Sequence, residues 1–368
     1  MSLKPYKVCV DARLLLKSGI GRYISEVVPI LKKTFDLTCI IHEEGIPFMD
    51  AHQIKYIIAQ TKIYSIKEQV ELPKLIPECD LFWSPHFNIP LFPIKAKKRL
   101  VTIHDAYHLA FLSSLSLAER IYAKIFFRMA LILSNAVITV SEFSKRELVK
   151  FNGAKFNSKI QVILNGVSSF EPELAVVAPA AVHANYFLFV GNVKPHKNLK
   201  NAVLAFKAFC VAHPDAHYNF KIVGQQDGFI NGDESIKSLL FSDALLKERI
   251  EFTGFVDDGE LRALYEQAHC LVFPSLYEGF GLPPLEAMNV GTPAIVSNLA
   301  SMPELCENAV LYFDPLDVDS IKVAMENIVF STAVYDDLIG KGLIQVKKFS
   351  WNRSAQQHRE LMEQVLIR

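Results

Sequence analysis

The sequence lacks the features that mark secreted, membrane-spanning and metal-binding chains. Its six cysteines are scattered and form no Cys-x-x-Cys pair, so we expect neither a disulfide framework nor a zinc site, and we expect a reducing, cytoplasmic environment. The N-terminal residues have no apolar core of the signal-peptide kind, and no continuously apolar run approaches the roughly 18 residues of a membrane span. No Asp-x-Asp motif lies at the end of a predicted strand, and we expect neither a metal nor another cofactor.

The chain also lacks a net charge: 39 basic residues balance 39 acidic ones, so the formal charge is zero. The balance conceals an asymmetry: residues 1–170 contain 23 Lys and Arg against 14 Asp and Glu (+9), whereas residues 171–368 contain 16 against 25 (−9). A basic first half suits an anionic partner. The alternative is that the two halves attract one another or stay soluble through separate charges.

Twelve short apolar runs are present, six in each half of the chain. Each is continuously apolar, which is typical of parallel strands buried on both faces. They comprise residues 7–12, 37–43, 80–85, 100–106, 136–141, 160–164, 186–191, 220–224, 250–254, 270–275, 293–297 and 310–314. Segments of helical period separate most of them, such as residues 199–210 behind the possible cap Asn198, and residues 261–268 behind the capping-box sequence DDGE.

This alternation predicts the α/β class, with two doubly wound, Rossmann-like domains that face a central cleft. We predict an N-terminal domain over residues 1–170 and a C-terminal domain over residues 184–351. The boundary falls in Ser168–Asn185, which is rich in Pro and Ala and has neither period. Ligands of such sheets bind beyond the carboxyl ends of the strands, so the residues that end each strand are the candidates.

Two glutamates flank a glycine-rich turn after the predicted strand 270–275. Gly279 and Gly281 allow the backbone to approach a ligand, and two consecutive prolines suit the first turn of a helix. We predict Glu278 in the loop and Glu286 in that first helical turn, where each carboxylate can accept two hydrogen bonds from a sugar or ribose diol. The structural alternative is that Glu286 caps the helix and Glu278 is solvated.

Strand ends elsewhere supply further candidates. The turn VGNVKPHKNL brings Lys197 to a helix start, where charge and free amides favour a diphosphate; a merely solvated lysine is the alternative. Gly19 and Gly21 follow the first strand, but the third glycine of a dinucleotide fingerprint is missing. His104 and Asp105 end another strand, where they could orient a hydroxyl or carry a proton, unless they are a surface histidine and a capping aspartate.

Together these motifs resemble the retaining GT-B glycosyltransferases of family 4, a group that includes bacterial mannosyltransferases of O-antigen and capsule assembly. The similarity runs over nearly the whole chain and is densest over Phe252–Leu305. Glu278 and Glu286 match the family's motif of two glutamates separated by seven residues, and the segments TIHDAYH, VITVSEFSKREL and VILNGV also match.

The resemblance implies that the N-terminal domain binds the acceptor and the C-terminal domain the nucleotide sugar, and it implies a role for each candidate. Glu286 would hold the ribose of a nucleotide sugar, Glu278 the transferred sugar and Lys197 the diphosphate, while Phe255 and Val256 would lie against the base. The predicted catalytic residues are His104, Asp105 and Glu278, and the predicted donor-binding residues are Gly19, Gly21, Asn192, Lys197, Phe255, Val256, Glu278, Gly279, Phe280, Gly281, Leu282 and Glu286.

One departure from the family concerns the diphosphate. Many members have Arg where this chain has Asn192, and relatives often have a second Arg where it has His196. Neutralisation would therefore depend on Lys197 with weaker help from His196 and Lys194. The residue that supplies the second positive contact stays open.

The resemblance also implies the chemistry. We expect transfer of a hexose with retention, by front-face attack in which a leaving phosphate oxygen takes the acceptor's proton, to a glycan or lipid-linked acceptor of cell-surface polysaccharide synthesis. The segments PHKN and SPHFNIP favour GDP-mannose as donor, and a UDP-sugar or another GDP-sugar stays open. We expect no nucleic acid partner, and we expect the last helix, residues 352–368, to cross back to the first domain.

Three segments of the basic half bear on membrane contact. Residues 93–100 and 144–148 are basic, and residues 117–133 form an apolar helix with scattered basic side chains. All three could engage the inner face of an anionic membrane or a lipid-diphosphate-linked glycan. A helix that is apolar almost all round is alternatively a core helix. Two other functions stay open, a nucleotide-sugar-binding protein without turnover and a nicotinamide-dependent dehydrogenase.

Overall fold

The protein, as a computed structural model, is described over residues 5–16, 18–167, 184–224 and 234–368. It divides into two compact units, of which the first comprises Met1–Gly166 with Phe349–Arg368 and the second Val167–Lys348. The predicted boundary segment lies almost entirely outside the described residues.

The first unit is built on a seven-stranded parallel sheet in the order β3-β2-β1-β4-β5-β6-β7. Its strands are β1 (Lys7–Asp11), β2 (Asp36–Ile41), β3 (Lys55–Ile58), β4 (Cys79–Ser84), β5 (Ala96–Thr102), β6 (Ala136–Thr139) and β7 (Ile160–Val162). Its helices before the crossing to the second unit are α1 (Ser18–Leu31), α2 (Ile46–Ala51), α3 (Glu68–Leu75), α4 (Tyr107–Ala110), α5 (Leu117–Leu133) and α6 (Glu142–Asn152).

The second unit is built on a six-stranded parallel sheet in the order β10-β9-β8-β11-β12-β13. Its strands are β8 (Ala184–Val190), β9 (Asn219–Val223), β10 (Ile250–Gly254), β11 (Ala268–Phe273), β12 (Ala294–Ser297) and β13 (Leu311–Phe313). Its helices are α7 (Leu199–Ala212), α8 (Glu234–Ser242), α9 (Ala244–Arg249), α10 (Asp258–Gln267), α11 (Leu282–Asn289), α12 (Met302–Cys306), α13 (Val318–Phe330) and α14 (Thr332–Gln345).

The second sheet has the doubly wound strand order 3-2-1-4-5-6, and the first has the same order with a seventh strand added at its edge, which confirms the predicted α/β class. The chain direction across the sheet reverses between the first and fourth strands, where Val8 pairs with Leu81 in one sheet and Leu188 with Leu271 in the other. Connections leave these two strands on opposite sides, so a crevice opens at their carboxyl ends. The loops after β1 and β4, and after β8 and β11, are therefore the places for a ligand.

The chain ends in helix α15 (Trp351–Ile367), which belongs to the first unit and packs on α1. Its apolar face is buried in the same core as the inner face of α1; the buried members are Trp351, Ala355, Leu361, Met362 and Val365. Gly166, the last residue of the first segment, lies so close to Trp351 that an added Cβ would stand 2.2 Å from the Trp351 amide nitrogen. Glycine is needed there for this close approach.

Two local predictions differ from the structure. The sequence predicts twelve strands, and all are present, but the short edge strand β3 (Lys55–Ile58) was not among them. Its Tyr56 and Ile57 pack against two different cores, yet none of its four residues is fully buried. Asn198 precedes α7 but has left-handed backbone angles, and its side chain makes no cap; its amide instead donates to the carbonyls of Pro274 and Pro315. The predicted capping box of α10, formed by Asp257 and Glu260, is present.

Within the residues covered by the structure, no helix has the length and apolarity to cross a membrane. All six cysteines are free thiols, and five of them are buried as core residues.

Candidate active site

The loop between β11 and α11 is held in shape by buried contacts. Gly281 caps α11 with a φ of +92°, in the left-handed region that favours glycine. The buried hydroxyl of Ser301 lies 3.0 Å from the carbonyl oxygen of Glu278 and 2.9 Å from that of Phe280. Because prolines occupy the second and third helical positions, Leu282 offers the first amide of the helix. The loop is thus a rigid support for a ligand at a helix start, where the helix dipole favours negative charge.

Lys197 and Glu278 form an ion pair across the point where the second sheet reverses direction. Lys197 follows β8 and Glu278 follows β11, and the lysine ammonium donates a short hydrogen bond to Glu278 Oε1. The same ammonium lies 5.6 Å from the centroid of the Phe273 ring. The amide of Leu276 donates to the carbonyl of His196 at 2.7 Å, which ties the two loops together. The predicted sugar-binding and diphosphate-binding side chains are therefore neighbours.

Glu286 has a different setting from the predicted one. It is the fifth residue of α11 and lies beyond the first turn, so neither the first-turn placement nor the capping alternative is right. Its Oε2 atom accepts a hydrogen bond of 2.8 Å from the phenol of Tyr265, a fully buried residue of α10. Burial and the nearby carboxylate hold the pKa of Tyr265 well above its usual value, so the phenol stays a donor. Tyr265 thereby fixes the orientation of Glu286.

The remaining candidates of the second unit lie at the same edge of its sheet. Asn192 and Lys194, after β8, are exposed, while His196 is partly exposed. Phe255 follows β10 and exposes 82 % of its surface, and Val256 beside it is partly exposed. A large exposed aromatic ring at a strand end is available to stack on a planar ligand. Strands β8 and β9 end in close contact, since a Cβ on Gly224 would stand 2.4 Å from the Gly191 carbonyl oxygen.

In the first unit, His104 is held by its surroundings as a neutral imidazole. Burial lowers its pKa to about 4, against the opposing effect of the Pro85 carbonyl and with a further contribution from His86. His104 Nε2 lies 2.9 Å from the Pro85 carbonyl oxygen, and because a carbonyl only accepts, Nε2 carries the proton. His104 Nδ1 therefore presents a lone pair that can accept a hydrogen bond from a hydroxyl.

Asp105 has a local structural role, although it is not the cap of α4, whose N-cap residue is Ala106. Its Oδ1 atom accepts a hydrogen bond of 2.9 Å from the Tyr107 amide at the start of α4. This contact shapes the turn that follows His104 and gives the carboxylate a bonding partner within the chain.

A directed chain of buried hydrogen bonds lies behind His104. Trp83 Nε1 donates to Thr102 Oγ1 at 3.0 Å. The Tyr23 phenol lies 3.0 Å from the same Thr102 oxygen and forms a short hydrogen bond with His358 Nε2. His358 Nδ1 lies 2.7 Å from the Ser354 carbonyl, so it carries the proton and leaves Nε2 to accept from Tyr23. The Tyr23 ring meets His104 edge to face at 4.8 Å. Helix α15 thus supports the histidine through α1.

Gly19 and Gly21 differ in their surroundings. A Cβ at Gly21 would stand 2.4 Å from the carbonyl oxygen of Leu15 and 2.8 Å from that of Leu14, so this glycine lets α1 pack against the preceding turn. A Cβ at Gly19 would meet no atom within 4 Å. Gly21 thus has a structural reason to be glycine, whereas the surroundings of Gly19 do not require one.

A buried ionic network, which the sequence did not reveal, lies where the first sheet reverses direction. Asp11 ends β1, and its carboxylate accepts from Arg13 at 2.6 and 2.7 Å and contacts His86 at 3.1 Å. Arg13 also donates to Glu68 at 2.6 Å, and Glu68 accepts from Asn88 at 2.8 and 2.9 Å. Burial alone would raise the pKa of Asp11, but Arg13 and His86 together hold it well below its usual value.

Two known protein families match most of this chain. The family described as Glycosyltransferase Family 4 matches residues 17–169, and the family described as Glycosyl transferases group 1 matches residues 173–341. The chain belongs to the GT-B glycosyltransferases. Within the family matches lie every candidate residue of both units, including His104, Lys197 and the two glutamates.

Individual relatives agree with this assignment. The glycosyltransferase is 32 % identical to the O-antigen chain mannosyltransferase RfbU of Salmonella typhimurium over 67 % of this chain and 64 % of that protein. It is 30 % identical to the serotype-specific mannosyltransferase WbdA of Escherichia coli over 60 % of this chain and 28 % of that protein. The aligned region thus spans less than two thirds of either relative. Anabaena HepE, solved in complex with UDP-glucose, superposes with a TM-score of 0.77 and 16 % identity, covering 98 % of this chain and all of that one, which shows the shared fold.

Proposed function

We propose that this glycosyltransferase transfers a hexose from a nucleoside-diphosphate sugar to a glycan or lipid-linked acceptor of cell-surface polysaccharide synthesis, with GDP-mannose as the favoured donor. The observation that carries the proposal is the contact between Lys197 and Glu278 at the reversal point of the second sheet, beside the start of α11. A cation and a helix start suit the diphosphate, and a carboxylate beside them suits the hydroxyls of the sugar. The mannosyltransferase relatives support the choice of mannose.

The proposed reaction breaks the bond between the anomeric carbon and the diphosphate oxygen and forms a bond from that carbon to the acceptor oxygen. The acceptor's proton passes to a leaving phosphate oxygen on the same face, so configuration is retained. Lys197 and the α11 amide at Leu282 stabilise the charge that grows on the diphosphate. His104 Nδ1, as an acceptor, orients a hydroxyl of the transferred sugar, and Glu286, held by Tyr265, binds the ribose.

A covalent enzyme intermediate is not part of the proposal. Glu278 is engaged by Lys197, and Glu286 is engaged by Tyr265, so each carboxylate has a cationic or phenolic partner that weakens it as a nucleophile. Nuclear magnetic resonance of the product formed from an α-linked donor tests retention directly. A product with inverted anomeric configuration would contradict it.

A thermal-shift screen against GDP-mannose, GDP-fucose, UDP-glucose and UDP-galactose tests the donor. A ligand at a hundred times its dissociation constant stabilises a protein by about 2.7 kcal/mol, so the bound donor should raise the unfolding midpoint measurably. Lys197→Met should weaken binding of the corresponding nucleoside diphosphate by about tenfold, which corresponds to the loss of about 1.4 kcal/mol. The exposed Lys200→Met is the matched control, because it removes the same charge from the first turn of α7. No response to any of the four donors would contradict the proposal.

We further propose that helix α5 rests on the inner face of an anionic membrane. Its inward face is buried, whereas Leu117, Ile121, Ile125 and Ile132 are 74, 51, 47 and 47 % exposed. The exposed Lys124 lies on the same outward side by helical spacing, whereas the Arg128 guanidinium donates to the Asn152 carbonyl and lies over the Phe156 ring. An apolar stripe with flanking cations is the pattern of a helix that lies in a membrane interface.

A further inference from the structure

The first unit contains a pocket that the donor chemistry leaves unused. Its volume is about 450 Å³, in the range of small-ligand sites. Helix α5 contributes part of the lining, and the rest comes from the segments before it; the lining residues are Ala118, Glu119, Tyr122 and Ala123 of α5 with Tyr64, Phe87, His108 and Leu115. Phe87 follows β4, so the pocket adjoins the carboxyl end of a strand at the reversal point of the first sheet.

Tyr64 is held in the pocket wall in an unfavourable backbone conformation. Its φ is +66°, in the left-handed region that bulky residues rarely adopt. The Tyr64 amide donates a hydrogen bond of 2.7 Å to Glu68 Oε2, and this fully buried carboxylate is itself anchored by Arg13 and Asn88. Such a conformation persists where the surroundings enforce it, and it is found preferentially at functional sites.

The same buried carboxylate fixes the second phenol of the pocket. Tyr122 donates a short hydrogen bond to Asn88 Oδ1, while the Asn88 amide donates to both oxygens of Glu68. The Tyr64 ring remains 51 % exposed, with its centroid 6.1 Å from that of Phe87 and 6.3 Å from that of Tyr122. Burial and Glu68 raise the pKa of Tyr64 to about 12, so its phenol is protonated at neutral pH. The pocket therefore presents pre-positioned aromatic faces with hydroxyl groups at their edges.

The lining favours a neutral ligand over a phosphate. Of the lining residues in the described part of the chain, none is Lys or Arg. Glu119 is the lining carboxylate, and it accepts the Ser116 amide at 2.8 Å in the capping box of α5. Aromatic faces, hydroxyls and the His108 imidazole, without lysine or arginine, match a pyranose ring, which has apolar C–H faces and a rim of hydroxyls.

We infer that this pocket binds a pyranose ring of the acceptor glycan, stacked on Tyr64 and hydrogen-bonded by the phenol edges. The inference rests on the proposed function, because it assigns the acceptor of that reaction to a sugar and locates its subsite. It assigns no part of the pocket to the donor.

The test uses methyl α-D-mannopyranoside as the probe and saturation-transfer difference nuclear magnetic resonance as the readout. Ala118→Trp places a large side chain in the pocket from an exposed helix position, and Ala154→Trp, at an exposed position outside the lining, is the matched control. Tyr64→Gly removes the ring where the backbone favours glycine, so its unfolding midpoint should not fall. We expect Ala118→Trp and Tyr64→Gly to reduce the saturation transfer at least about fivefold, the scale of a lost aromatic contact, and Ala154→Trp to leave it unchanged.

Nucleotide binding, measured by calorimetry on the same samples, separates the two proposals. If Ala118→Trp binds the nucleoside diphosphate as the unaltered protein does but also retains the glycoside signal, the pocket inference is wrong and the donor assignment stands. The inference is equally wrong if the unaltered protein gives no signal with the glycoside at millimolar concentration, or if decanol occupies the pocket and the glycoside does not. If the unaltered protein does not bind a nucleoside diphosphate, the proposed function is contradicted instead.

Discussion

Among single residues, Tyr265 tests whether the orientation of Glu286 matters for donor binding. Tyr265→Phe removes the phenol that donates to Glu286 and leaves the ring in the core. Hydrogen bonds to charged groups contribute about 1.5–3 kcal/mol, so the dissociation constant for the nucleotide sugar should rise at least about tenfold, as calorimetry would measure. Tyr312→Phe, which removes a phenol bonded to the Glu307 carbonyl in the same unit, should leave it unchanged. Equal affinities in both variants would contradict this role.

The same residue shows where sequence reasoning stops at this scale. Lys197, His104 and Glu278 could be selected because each follows a buried strand, and strand ends converge on one edge of a parallel sheet. Tyr265 fits the apolar period of its helix, so the sequence gives no sign that its phenol reaches a carboxylate. Contacts such as that of Arg13 with Glu68, which are 55 positions apart, depend on packing that local pattern does not encode.

At the scale of elements, the two glycines of α1 should respond oppositely to alanine. Gly21→Ala brings a methyl group against the Leu15 carbonyl at 2.4 Å, and such overpacking costs about 1–3 kcal/mol of unfolding free energy. Gly19→Ala meets open space inside the helix and should stabilise it by up to about 1 kcal/mol. Urea unfolding of both variants measures the difference. A Gly21→Ala variant as stable as the unaltered protein would show that the turn before α1 can move away.

The contact between α15 and α1 should make stability depend on pH. Burial lowers the pKa of His358 to about 4, against the effect of the Ser354 carbonyl and with a further contribution from His104. The unfolded chain, with an imidazole pKa of about 6.5, binds the proton first as pH falls, so stability decreases between about pH 7 and pH 4. One such group costs about 2 kcal/mol between pH 7 and pH 5.

Denaturant unfolding at the two pH values measures this loss. His358→Gln should reduce the pH dependence, because it removes the buried imidazole that must take up a proton on unfolding. A variant lacking His358 that loses as much stability on acidification as the unaltered protein would contradict the assignment.

The positions of the helices and of the central strands were predicted better than edge strands and helix caps. Residues 117–133 form α5 as the sequence indicated, because apolar side chains recur over the whole segment. Strand β3 was missed although Tyr56–Ile58 are apolar, because it lies at the edge of the sheet and none of its residues is fully buried. The prediction that Asn198 caps α7 rested on residue type alone and was wrong, because Asn198 has left-handed backbone angles and its side chain makes no cap.

At the scale of the whole molecule, the uneven charge and the outward face of α5 predict salt-sensitive adsorption to anionic vesicles. The first 170 residues have a net charge of +9, so binding should weaken as salt screens the attraction. Ile121→Asp places a charge in the apolar stripe and should reduce vesicle binding in a sedimentation assay by at least about tenfold. Val211→Asp, at an exposed position on α7, is the matched control. Vesicle binding that does not change with salt, with lipid charge or with Ile121→Asp would contradict a membrane-facing α5.

The discontinuity of the first unit has a consequence for biosynthesis. Because α15 covers Tyr23 and Trp83 in the core of that unit, its hydrophobic interior cannot close until the ribosome has passed through all of residues 167–348. The uninterrupted second unit can therefore reach its native state first, against the usual N-to-C order of cotranslational folding. Until then, the apolar face of α1 that α15 covers in the folded unit stays open to solvent.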